Sequence, residues 1–136
     1  DAADYQVING CLILKEEHYQ KDAFSHIEED EFTKIQSILA LRLQHLTTST
    51  FQFSKKLKTV IMPEVVEIMG GKHESAFSET KVENCFFPKL KKVGSEVFQF
   101  CEIKELNTGN FPALETIGQG GFQYCPITSI DLPNLK

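Results

Sequence analysis

The sequence predicts a β-rich α+β solenoid: a right-handed stack of about five coils, with a parallel sheet along its concave side and a hairpin and helix capping its N-terminal end. Three observations predict it. Four of the five prolines fall at one position of a recurring pattern, and four of the eleven phenylalanines fall at another. Apolar residues recur between them in the order apolar-x-x-apolar-x-apolar-Pro-x-Leu-x-x-Ile-Gly-x-x-x-x-Phe-x-x-Cys. A fixed period near twenty residues is the signature of stacked repeats, in which one coil cannot bury its apolar side without a neighbour.

Residues 1–34 are expected to form an N-terminal cap. Asp4 to Leu14 reads as strand, Asn9-Gly10 turn and strand, because an Asn-Gly pair between apolar runs is a hairpin signal. Ile8, Cys11 and Ile13 also fit the first three apolar slots of the pattern, which places Leu12 facing outward. Tyr19, Ala23 and Ile27, with Phe24 beside them, recur at helical spacing among Glu16, Glu17, Glu28, Glu29, Asp30 and Glu31. This predicts an amphipathic helix whose acidic side is a solvated cap face rather than a metal or basic-partner site.

Residues 35–136 are read as the repeats, and the whole chain as one domain. Coil one uses Ile35, Ile38, Ala40, Leu43, Leu46 and Phe51, with Leu41 where proline is expected. Coil two uses Leu57, Val60, Met62, Pro63, Val65, Ile68 and Phe77, with extra residues within Met69 to Ser75 and Thr80 in the cysteine slot. The third is cleanest, running Val82, Cys85, Phe87, Pro88, Leu90, Val93, Gly94, Phe98 and Cys101 before the next start at Ile103. Coil four repeats it through Pro112, Gly118, Phe122 and Cys125, lengthened at Asn107 to Asn110, and coil five runs from Ile127 through Pro133 to Leu135. Slots one, four and six point inward and the residues between them face out along a short strand. Proline closes the strand because it has no N–H for the ladder, and glycine is expected to supply the bend that follows.

Each coil opens with the Leu-x-x-Leu-x-Leu pattern of leucine-rich repeats. The run Phe87-Pro88-Lys89-Leu90-Lys91-Lys92-Val93-Gly94-Ser95-Glu96-Val97-Phe98-Gln99-Phe100-Cys101 resembles the BspA-type leucine-rich repeat, with its Pro-x-x-x-x-Ile-Gly-x-x-Ala-Phe-x-x-Cys hallmark, and Ala76-Phe77 keeps the alanine. Coil one departs from it, lacking the proline, glycine and cysteine. The resemblance implies a surface or secreted protein, extracellular in location, that adheres to host or matrix proteins.

Composition narrows the partners. A net charge of −5 argues against nucleic acid and anionic membranes. No apolar run approaches the roughly 18 residues of a membrane span. The chain opens at Asp1 rather than Met, as expected of a processed or trimmed product. His18, His26, His45 and His73 are scattered, and no catalytic or metal motif accompanies them, so no enzyme, cofactor or metal is implied. Gly118-Gln119-Gly120-Gly121 lacks the Lys-Ser/Thr ending of a phosphate loop and sits in the turn of the repeat. The four cysteines have no metal spacing and read as buried thiols, Cys11 and Cys85 in strand core slots. Cys101 and Cys125 share one slot in neighbouring coils, which leaves a bridge between them conceivable.

Function is therefore sought on the outward face of the concave sheet. Slot five holds Leu12, Leu39, Ile61, Phe86, Asn107 and Asp131 in successive coils, an apolar half followed by a polar half. Slot three holds Gly10, Ser37, Thr59, Asn84, Glu105 and Ser129. Contiguous exposed apolar surface often marks an interface, so Leu39, Ile61, Phe86, Asn107 and Asp131 are the candidate partner-binding residues. The competing reading has the N-terminal helix or a loop folded over the column. The predicted function is a non-enzymatic recognition or adhesion module. The alternative is a structural or oligomerisation domain of a larger repeat protein, self-associating through the apolar column or an open last coil.

Overall fold

A hairpin begins the sheet that runs through the molecule. In the computed structural model, which describes residues 5–17, 19, 24, 27–46, 51–52, 54–71 and 75–136, β1 (Tyr5–Ile8) and β2 (Cys11–Leu14) pair antiparallel, with Ile8 opposite Cys11. Asn9 and Gly10 take positive φ of 49° and 79°. Two such residues make the turn whose twist suits a two-residue hairpin loop.

From β2 onward the pairing is parallel. β3 (Ser37–Ala40), β5 (Thr59–Ile61) and β7 (Asn84–Phe86) extend it into a five-stranded sheet ordered β1-β2-β3-β5-β7. The offset between paired residues changes from coil to coil by the insertions visible in the sequence: Leu39 lies opposite Ile61, and Ile61 opposite Phe86. No break separates the hairpin from the repeats, because Leu12 lies opposite Ile38 and Leu14 opposite Ala40.

That register corrects the reading of the hairpin. Leu12 and Leu14 are buried, while Cys11 and Ile13 are only partly so. Leu12 therefore occupies a core slot, Ile13 takes slot five, and Cys11 rather than Gly10 takes slot three. Both phases of Cys11-Leu12-Ile13-Leu14 are apolar, so alternation cannot choose between them, and a one-residue slip exchanges the faces. The Asn9-Gly10 turn chooses, because Gly10 O receives the N–H of Gln36 at 2.7 Å and pins β2 against β3.

Each of the first four coils contributes a second strand, which the sequence reading did not separate. β4 (His45–Leu46), β6 (Glu67–Ile68), β8 (Lys92–Val93) and β10 (Thr116–Ile117) form a four-stranded parallel sheet. A two-stranded sheet joins β9 (Glu105–Leu106) to β11 (Ser129–Ile130). Turns close the third side of the coil and also bond between coils, as in Phe77 N to Val97 O at 3.0 Å and Phe98 N to Gly121 O at 2.8 Å.

The helix is short. Among the described residues it covers Glu29–Phe32, one turn with Glu29, Asp30 and Glu31 at its start. Ala23 of the expected amphipathic helix lies outside the described residues, as do His18, His26 and His73. Tyr19, Phe24 and Ile27 nevertheless pack on the core, and Phe24 sits 5.5 Å from Phe51 between ring centroids.

Two columns of phenylalanine rings run along the stack. Phe51, Phe77, Phe98 and Phe122 stack face to face with centroids 6.0, 5.4 and 5.2 Å apart, and Phe87 stacks on Phe111 at 5.6 Å. The columns meet edge to face where Phe98 contacts Phe87 and Phe111. Identical slots on successive coils put identical side chains one above another, and offset or edge contacts are the geometry such rings prefer.

The glycine slot has a different cause from the one expected. Neither Gly94 nor Gly118 takes positive φ; among the described residues that conformation belongs to Asn9, Glu79, Glu96, Phe100 and Tyr124, and to Gly10 and Gly120. A Cβ on Gly94 would instead strike the backbone of Gly70, and one on Gly118 would lie 2.6 Å from Ser95 N. Close approach of backbones between coils excludes the side chain.

Candidate protein-recognition face

Strands β2, β3, β5 and β7 carry Ile13, Leu39, Ile61 and Phe86 in one in-register row on the outward side of the five-stranded sheet. Burial alternates as the pleat requires: Ile38, Val60 and Met62 are buried, whereas Leu39 and Ile61 are partly exposed and Phe86 is 44% exposed. Beside this row stands a second, small and polar, of Cys11, Ser37, Thr59 and Asn84. The structure thus brings Leu39, Ile61 and Phe86 together and adds Ile13.

Asn107 and Asp131 do not continue that sheet, which ends at β7. The regular ladder takes the N–H that follows slot five to the slot-five carbonyl of the next coil, as Met62 N does to Phe86 O at 3.0 Å. Phe87 N goes instead to Asn110 O at 2.9 Å, because Asn107 O is engaged by Phe111 N at 2.9 Å within the inserted turn. Side chains tie this turn further. Asn110 Oδ1 accepts from Asn107 N at 2.9 Å, its Nδ2 donates to Glu105 O at 2.7 Å, and Asn107 Oδ1 accepts from Gly109 N at 2.8 Å. Asp131 follows β11, its N–H bonded to Leu106 O at 2.7 Å.

A groove of about 370 Å³ opens where the larger sheet gives way to β9 and β11, lined by Asn84, Cys85, Glu102, Lys104 and Asn107 among others. Lys104 lies 3.7 Å from Glu83 across its rim. Arg42 pairs with Glu17 at 2.9 Å and Lys89 with Glu64 at 2.8 Å. These pairs are exposed and screened, so they tune which surfaces can approach more than they hold the fold.

Cysteine positions follow the stack. All four are free thiols. Thr80, Cys101 and Cys125 occupy one slot, and each points its hydroxyl or thiol at a phenylalanine carbonyl: Thr80 Oγ1 to Phe77 O at 2.9 Å, Cys101 Sγ to Phe77 O at 3.0 Å, and Cys125 Sγ to Phe98 O at 3.0 Å. Thr80 bonds within its own coil, whereas Cys101 and Cys125 each reach the phenylalanine carbonyl of the coil before. Burial pushes the Cys85 thiol up. The neighbouring Cys101 and Cys125 side chains shift each other in opposite directions, Cys101 up and Cys125 down. Among the described residues no group of His, Cys, Asp or Glu could hold a metal, and no helix is long and apolar enough to cross a membrane.

One surface feature escaped the sequence reading. Phe100 and Tyr124, 46% and 65% exposed, stack with centroids 4.6 Å apart on the turn side of the coils. Both take positive φ, as Glu79 does in the preceding coil, all three immediately before the Thr80, Cys101 and Cys125 slot. Tabulating the residue before that slot is the signal that would have found them.

A stack of parallel β-coils, each opening with Leu-x-x-Leu-x-Leu and closing with turns, is a solenoid of the leucine-rich-repeat type. Residues 72–136 match the family described as BspA type Leucine rich repeat region (6 copies), so that stretch is similar to BspA-type leucine-rich repeats. Leucine-rich repeats as a family suggest a protein-interaction module and are typically non-catalytic. No curated protein sequence and no solved structure matches the chain.

Proposed function

We propose that this chain is a non-enzymatic recognition module of a surface or secreted protein, adhering to a host or matrix protein through the outward face of its five-stranded sheet. The observation that carries the reading is the row Ile13, Leu39, Ile61 and Phe86. Water gains by releasing such a row, because apolar area removed from it is worth roughly 25 cal/mol per Å². The surface association often found among BspA-type repeats supports the location, and the polar row beside the apolar one supplies hydrogen-bonding groups for register. The test presents the folded chain to a panel of purified matrix and serum proteins. Saturable binding to at least one supports adhesion, and none across the panel contradicts it.

A second reading, a structural or oligomerisation domain, is favoured by the same apolar row, whose Phe86 is 44% exposed and open to its copy on a second chain. Sedimentation velocity over a concentration series tests it, a single monomeric boundary at every concentration arguing against self-association.

A further inference from the structure

We propose that Cys125 is a redox modification site, at which a low-molecular-weight disulfide forms an adduct that Cys101 of the preceding coil converts into a bridge between coils. Neither the recognition face nor the repeat's packing uses this chemistry. The two cysteines share a slot on stacked coils, and neighbouring coils lie about 4.8 Å apart, within the Cα separations a disulfide accepts. The contact one coil earlier shows how close this slot brings side chains, since Thr80 Oγ1 and Cys101 Sγ are 3.4 Å apart.

The Cys125 sulfur lies against the coil that carries Cys101: its thiol donates to Phe98 O at 3.0 Å, as the Cys101 thiol does to Phe77 O one coil earlier. Proximity of the Cys101 side chain, and of the Cys101 and Ile103 backbone, holds the Cys125 thiol below its ordinary value. Cys125 is also partly exposed, whereas Cys101 is fully buried. The thiolate is the attacking species in thiol–disulfide exchange, so accessible sulfur and stabilised thiolate coincide at one residue and the resolving thiol lies behind it. Cys85, the third thiol of the neighbourhood, is held protonated by burial and does not compete for the first step.

The exchange balances. The Cys125 thiolate attacks one sulfur of the small disulfide, whose S–S bond breaks and releases one thiolate. The Cys101 sulfur then attacks that of Cys125, its proton passing to the second departing thiolate. Two protein thiols have lost two hydrogens, and one small disulfide has become two small thiols.

The test incubates the folded chain with oxidised glutathione, blocks remaining thiols by alkylation, and reads intact mass and a non-reducing peptide map. The expected product is lighter by two hydrogens before alkylation, with the Cys101 and Cys125 peptides joined. Cys101→Ser should instead retain one glutathione on Cys125, formed about ten-fold faster than any adduct at Cys11. Cys125→Ser should take up none at Cys101. A folded wild-type chain that gains neither adduct nor bridge, while its thiols react freely in guanidinium, overturns the proposal; so does a bridge from Cys125 to Cys85.

Discussion

Phe77 and Phe98, one coil apart, stack with ring centroids 5.4 Å apart and planes 12° from parallel. Phe98 also meets Phe87 and Phe111 edge to face and Phe122 face to face, which joins both aromatic columns at one side chain. Its loss would leave a cavity where coils three and four depend on each other.

Replacing Phe98 by alanine is accordingly expected to lower the unfolding free energy by about 3–5 kcal/mol, the range for a buried aromatic truncation. The exposed Phe100, two residues on, should cost less than about 1 kcal/mol when changed to alanine, since it forfeits only a surface ring contact. Urea denaturation followed by circular dichroism compares the two. Equal losses would show that the columns do not carry the stack.

The glycines separate in the same way. Gly94→Ala would drive a methyl group into the backbone of Gly70 and should destabilise by about 1–3 kcal/mol, the usual cost of overpacking. Gly71→Ala meets nothing within 4 Å and should change stability by no more than about 0.5 kcal/mol. Thermal melts of the two variants check this, and a harmless Gly94→Ala would refute the close approach.

Alkaline stability should report Cys85. Its thiol is raised from the ordinary 9.0 by burial, so above that pH the unfolded chain releases a proton that the folded chain retains. The group's contribution is complete below the unfolded value and is lost progressively as pH rises toward the folded one. Cys85→Val, which copies the residue Val60 paired with it one coil earlier, removes this term. The variant should therefore gain on the wild type between neutral pH and about pH 10. Parallel curves for the two proteins would contradict the shift.

Much of this architecture was legible because the repeat presents the same question several times. Phe77, Phe98 and Phe122 agree on one slot, and insertions shift the spacing without changing the order of slots. What escaped was decided by single contacts. Cys11 to Leu14 is apolar in both phases, and only the turn at Asn9-Gly10, with Gly10 O held by Gln36 N, makes Leu12 a core residue. The second sheet escaped because its strands are two residues long, too short for alternation to show. Within the candidate site, Leu39, Ile61 and Phe86 were readable from slot five. The departure of Asn107 and Asp131 was not, since it turns on Phe87 N reaching Asn110 O rather than Asn107 O.

The central claim is that the slot-five row is the surface a protein partner meets. Its most direct measurement is the equilibrium binding of a matrix protein retained from the panel to three chains: wild type, Ile61→Asp/Phe86→Asp, and Phe100→Asp/Tyr124→Asp, each with an unchanged far-ultraviolet circular dichroism spectrum. The account predicts at least about a hundred-fold weaker binding for the first double variant, as removal of two central apolar anchors warrants, and little change for the second. Unaltered binding by Ile61→Asp/Phe86→Asp, or loss confined to Phe100→Asp/Tyr124→Asp, would contradict it.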